Sequence, residues 1–219
     1  MSSSFQGLTE RLVRILWIVF AIDVVALVFD LWERLVVFRM LDGTAGAEID
    51  AAVAASDSRQ MVVGYLQIGF FVTAAVLAAT WMRRANVNAR TLGAEGMRFT
   101  PNWSIVWYVI PFANLVMPYK SMAETWRASS GQFDWQKETV PDFLRYWWGL
   151  WLLANAAGQV AARLTLDASA PQALLVANAA YIVADGLSAI LDLVFLQLVQ
   201  ELSKRQSETA ARKVVQRPG

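Results

Sequence analysis

The stretch Leu12–Leu31, LVRILWIVFAIDVVALVFDL, decides the fold class. A hydrocarbon core of about 30 Å needs about 20 mostly apolar residues in a helix, and this run supplies them. Two acids, Asp23 and Asp30, interrupt it. A carboxylate at the bilayer centre costs roughly 2.5–3.5 kcal/mol on insertion scales, so each needs a partner or a task. The run follows Arg11 and Arg14 as a secretory signal would. It is nevertheless too long for one, carries Asp23 at its centre and lacks a small-x-small cleavage site, so it is expected to be a retained span.

Working outward, comparable runs occupy residues 61–81, 143–162 and 174–198. The expectation is an all-α polytopic membrane helix bundle with four spanning helices, about 12–31, 61–81, 143–162 and 174–198. The first is expected to continue as helix toward Leu41. The spans form a single transmembrane domain over residues 1–202, and residues 203–219 are expected as a basic cytoplasmic tail, a solvated and fraying helix extension. A shorter stretch, 103–119, carries Pro111 near its middle and Pro118 near its end. Each proline removes a backbone donor and disturbs the preceding turn, which predicts a Pro-broken re-entrant or interfacial helix.

Composition agrees with a membrane class. With 57% hydrophobic residues and only 17% charged, the chain is too greasy for an ordinary soluble domain. Net charge is +1, which leaves no global basic field for nucleic acid. The chain has no cysteine and no histidine. Disulfides, thiolate nucleophiles, Cys/His zinc sites, histidine-ligated haem and histidine proton relays are thereby excluded. No phosphate loop or dinucleotide fingerprint is present, and serine chemistry would lack its histidine base. Ala184-Asp185-Gly186-Leu187 matches the glycine-flanked aspartate of intramembrane aspartyl proteases only weakly, and the first helix lacks the tyrosine-aspartate partner. No catalytic residue, cofactor or metal is therefore expected, and the chain is not expected to be an enzyme.

Charge placement sets the expected orientation. A cytoplasmic amino terminus, four spans and a 103–119 segment that enters and leaves by one face put every Lys and Arg inside except Arg34, Arg39, Arg59 and Arg163. Both alternatives that make 103–119 a full crossing give a weaker or inverted bias. The expected location is the cytoplasmic (inner) membrane, multi-pass, with both termini cytoplasmic. Residues 42–59 then form an external connector, mobile or partly helical.

The densest local pattern is WMRRANVNARTLG (Trp81–Gly93), followed by GMRFTPNW (Gly96–Trp103), Trp107, Pro111, Asn114, Pro118-Tyr119, Glu124 and WRAS (Trp126–Ser129). This pattern resembles an uncharacterised bacterial membrane-protein family, domain of unknown function 4328. The resemblance implies a multi-helix membrane domain and carries over no activity and no catalytic residues. Read on their own, residues 103, 107, 111, 114 and 118 step by three or four along one helical stripe. Trp103, Trp107, Tyr119 and Trp126 suit an interface where an aromatic body meets lipid and a polar edge meets water. A structural hairpin is the favoured account. The sharper one makes Trp103, Trp107, Pro111, Asn114, Pro118, Tyr119 and Trp126 a lipid or partner groove, with Asn114 a partner for a carbonyl freed by proline.

The acids form a second pattern. Asp23 and Asp30 lie seven residues apart, as do Asp185 and Asp192, and Asn178 extends the latter by seven more. Each set falls on one helix face. Asp23 and Asp185 are both twelfth in their spans, so they are expected at matching depth, near the midplane, on neighbouring helices. Such a ladder binds a cation or carries protons, or it is paired structurally by Gln67, Thr73, Asn155, Gln159, Asn178, Arg14 or Arg163. Structural pairing needs no unproven site and is favoured. The leading expectation is an integral membrane binding or assembly module, an accessory subunit touching lipid, other membrane-protein subunits or anionic lipid. The alternative is a small proton- or cation-coupled transporter using the midplane aspartates.

Overall fold

The computed structural model describes residues 3–43, 46–166, 168 and 170–215. Among them are six α-helices and no strand: α1 (Ser3–Leu41), α2 (Ala47–Thr91), α3 (Trp103–Val106), α4 (Met117–Ala128), α5 (Asp142–Leu166) and α6 (Pro171–Val215). Short 3-10 turns occupy Ala113–Leu115 and Trp135–Lys137. With 39 residues in α1 and 45 each in α2 and α6, the long helices run about 60–70 Å, roughly twice a hydrocarbon core. These three are long and apolar enough to cross a membrane. The helix α5 covers the whole of 143–162, but Arg145, Asn155 and Gln159 dilute its apolar run.

Helix ends follow local chemistry. The helix α2 opens on Glu48 and Asp50, whose charge suits the positive end of its dipole, so the 42–59 connector is mostly helix, preceded by a turn at Asp42–Gly43. It closes at Gly93, φ +90°, where Gly93 N–H returns to Arg90 O at 2.9 Å and Ala94 N–H to Ala89 O at 3.2 Å. This pair of bonds is the Schellman arrangement, which needs a residue that tolerates positive φ. The stretch 103–119 is broken as its prolines predict: α3 is a single turn, Phe112 takes φ +62°, and Pro118 sits in the first turn of α4, where its missing donor costs nothing.

The chain divides into two compact units: one of residues 1–16, 73–148 and 194–219, the other of 17–72 and 149–193.

In the first unit the core combines apolar and polar groups. Trp81, Leu12, Leu144 and Leu202 are fully enclosed, and Phe5 stacks on Trp81 at 6.4 Å between centroids. Gln206 is equally enclosed, with its amide donating to Ala85 O and Ser129 Oγ, each at 2.8 Å, and accepting from Asn88 at 3.2 Å. Thr209 Oγ1 donates to Ser129 O at 3.1 Å, and Lys213 Nζ donates to Leu92 O. Arg205 pairs with Glu138 at 2.7 Å and lies over the Trp126 ring. Residues 203–215 are therefore a packed part of α6, which corrects the expected solvated tail. The signal against a free tail was the regular spacing of Leu202, Gln206 and Thr209 along one face. Residues 216–219 lie outside the described residues.

In the second unit the usual arrangement is inverted. Along α1, Asp30 is 3% exposed, whereas Trp32 is 57% and Leu35 62% exposed. Along α2, Met61, Tyr65, Ile68 and Val72 are all exposed. Apolar side chains outside and acids inside suit a lipid surround, because in water this surface would be a large exposed apolar patch.

Candidate functional site

The site is a polar seam in the second unit, built by α1, α2 and α6. Asp23 and Asp30 lie two turns apart on the buried face of α1. Opposite them α6 presents Asp185 and Asp192, and α2 presents Gln60 and Gln67. The carboxyl groups of Asp23 and Asp192 face each other across α1 and α6, and so do those of Asp30 and Asp185. Advancing seven residues along α1 thus means retreating seven along α6, the register of an antiparallel pair.

Glutamine amides tie α2 into this seam. Gln67 Nε2 donates to Asp23 Oδ1 at 3.1 Å and to Asp185 Oδ1 at 3.4 Å. Gln60 Nε2 donates to Asp30 Oδ1 at 2.9 Å and to Glu33 Oε2 at 3.1 Å. Asn178 Nδ2 donates to Asp30 O at 2.9 Å and to Glu33 Oε2 at 3.0 Å. Beyond this cluster, Arg34 reaches Leu175 O at 3.3 Å, and Arg59 lies over the rings of Phe29 and Trp32. Among the described residues, Asp30 Oδ2, Asp192 Oδ2 and Asn178 Oδ1 are buried with no hydrogen-bond donor. No three His, Cys, Asp or Glu side chains gather as a metal set among the described residues.

All five expected intramembrane polar residues, Asp23, Asp30, Asn178, Asp185 and Asp192, therefore meet in one place. Asp23 and Asp185 share the Gln67 amide, but the facing carboxyl pairs are offset by one heptad from the matching-depth pairing expected. Of the expected partners, Gln67 and Asn178 take part. Asn155 turns back to Trp151 O at 2.7 Å, and Arg14 faces Glu10 at 3.7 Å. Gln60 and Glu33 were missed, although Gln60 stands seven residues before Gln67 and Glu33 three after Asp30, so both fall on faces already marked.

The expected groove residues all lie in the first unit, spread over two adjoining cavities, the core and the surface. Trp103 and Trp107, 4.7 Å between centroids, line a cavity of about 400 Å³ with Arg98, Phe99 and Lys120. Tyr119 lines an adjoining cavity of about 390 Å³ beside Trp135. Trp126 is core, set edge-on against Phe143 at 5.4 Å. Pro118 is buried in α4, and Pro111 is exposed. The Asn114 backbone N–H donates to the Ile110 carbonyl at 2.9 Å, an ordinary i+4 bond across Pro111.

A family model described as Domain of unknown function (DUF4328) matches residues 44–204. The chain belongs to this family. The DUF4328 match takes in Gln60, Gln67, Asn178, Asp185 and Asp192 and stops short of Asp23 and Asp30 on α1. No curated protein and no solved structure matched the chain.

Proposed function

We propose that this DUF4328 protein is a multi-pass protein of a bacterial cytoplasmic membrane whose acidic seam takes up protons and passes them across the bilayer. In this reading four helices span, over about 12–31, 61–81, 143–162 and 174–198. Residues 103–119 re-enter from the cytoplasmic face, both termini are cytoplasmic, and the basic inner surface meets anionic lipid.

The observation that carries the reading is the gathering of four carboxyl groups in one seam, Asp23 facing Asp192 and Asp30 facing Asp185, with Asp30 Oδ2 and Asp192 Oδ2 buried and without a donor among the described residues. An ionised carboxylate only accepts, so two of them bond only when one holds a proton between them. Gln67 and Gln60 donate N–H groups into the same carboxyls, which suits a shared proton better than a metal cation, since an amide N–H repels positive charge. Because the Gln67 amide touches an acid of each pair, a proton passed between the pairs has a polar bridge through otherwise apolar surroundings. The role is non-enzymatic: protons are held and released, and no substrate bond is broken.

Proton flux in liposomes carrying the purified protein tests it. The wild type is expected to acidify the lumen when a potential is imposed, and Asp23→Asn with Asp192→Asn is expected to abolish the flux. Undiminished flux in that double variant would overturn the reading.

One observation favours a second, assembly reading: the exposed apolar stripe Met61, Tyr65, Ile68 and Val72 on α2 offers a face to another subunit's helix as readily as to lipid. A stoichiometric partner on mild-detergent extraction supports it, and repeated recovery of the lone chain counts against it.

A further inference from the structure

The cavity beside Trp103 and Trp107 has a definite chemistry. It is lined by Phe99, Trp103, Trp107 and Met117, by Thr100, and by two cations, Arg98 and Lys120. Both are exposed, and neither belongs to an ion pair among the described residues. Positive charge without protein partners beside an aromatic hollow of about 400 Å³ matches a ligand with an anionic head and an apolar body.

The wall is fixed in advance. The Glu124 carboxylate accepts the backbone N–H groups of Arg98 and Phe99, each at 2.8 Å. Arg90 donates to Phe99 O at 2.9 Å and Met97 O at 3.3 Å, and Asn86 donates to Phe99 O at 3.1 Å. Glu124 is thereby held by the backbone and forms no ion pair with Arg98 or Lys120 among the described residues. The helix α4 begins at Met117 with no side-chain cap, so its positive end adds to the same field. Arg98 and Lys120 also border the adjoining cavity, so the two cations serve both hollows.

We infer that this cavity is a binding site for a phosphate-bearing amphiphile, an anionic membrane lipid, with Arg98 and Lys120 on the phosphate and Trp103 and Trp107 against the acyl or glycerol part. The inference rests on the membrane reading above, and specifically on the basic side of the protein facing an anionic leaflet. It does not depend on proton movement through the acidic seam.

The test is equilibrium binding to the full chain in a neutral detergent, using short-chain phosphatidylglycerol, short-chain phosphatidylcholine with the same tails, and inorganic phosphate as probes. Phosphatidylglycerol is expected to saturate one site, at least tenfold tighter than either other probe. Arg98→Gln with Lys120→Gln is expected to remove that preference, and Trp103→Leu to weaken binding of the lipid. Lys137→Gln, whose residue pairs with Asp134 outside the cavity, is expected to change nothing. Phosphate binding as tightly as the lipid would reduce the site to an anion site and overturn the amphiphile. Equal binding of the two lipids would show that the charge is not read. Loss spread equally over Lys137→Gln and the cavity variants would overturn the site while leaving general attraction to an anionic membrane intact.

Discussion

Gln67 is the residue on which the seam turns. Its single amide nitrogen serves an acid from α1 and an acid from α6. Gln67→Leu keeps the bulk but leaves both carboxyls short of a donor, at a cost of about 1–3 kcal/mol. A lowered thermal midpoint in lipid nanodiscs is expected, with Asp192→Asn much milder because an asparagine N–H replaces the shared proton. An equal loss in both variants would show that the seam is not built on donors. At the other unit, Gly131 has φ +68°, and a Cβ there would run into the Thr209 methyl. Gly131→Ala is expected to cost at least about 1 kcal/mol, read as a lower midpoint, whereas Gly7→Ala, in helix α1 where space is open, is expected to leave the midpoint unchanged or raise it. The seam was partly legible. Seven-residue spacing marked Asp23, Asp30, Asp185 and Asp192 because 3.6 residues per turn brings such pairs to one face. The same spacing in Gln60 and Gln67 is a weaker signal, because an uncharged amide in an apolar run is far cheaper to bury than an acid.

Among elements, α6 departs most from what its sequence suggests. Ser203–Val215 is rich in charge and reads as a solvated extension, yet Gln206 and Thr209 are enclosed. Polar residues at core positions look like surface from sequence alone, because the carbonyls that satisfy them, Ala85 O and Ser129 O, come from more than 70 residues away. Deleting residues 203–219 is expected to destabilise or insolubilise the protein, since Leu202, Trp81 and Ser129 lose their cover. A truncated protein that melts with the full chain would restore the tail reading. The 103–119 break was legible because proline acts locally, through its own nitrogen and ring. Which of its aromatic residues line a cavity was not, because that depends on where the clamped 97–99 segment lies.

Over the whole molecule, the membrane class rests on composition and on the inverted exposure of α1 and α2, whose acids are inside and whose apolar side chains are outside. Helices of 39 and 45 residues are well beyond the roughly 20 that a hydrocarbon core needs. The absence of cysteine makes orientation directly measurable. Lys137→Cys is expected to react with an impermeant thiol reagent only from the cytoplasmic side, and Ala51→Cys only from outside. Labelling of both from one side would overturn the proposed orientation.

The central claim is that the carboxyls of α1 and α6 meet around shared protons. Infrared spectroscopy of the protein in lipid at neutral pH, comparing the wild type with Asp192→Asn, Asp185→Asn and the double variant, reads this without any flux. The account predicts a carbonyl stretch from protonated carboxyl groups in the wild type, reduced in each single variant and absent in the double one. A wild-type spectrum showing only ionised carboxylate, or a band untouched by both substitutions, would contradict it.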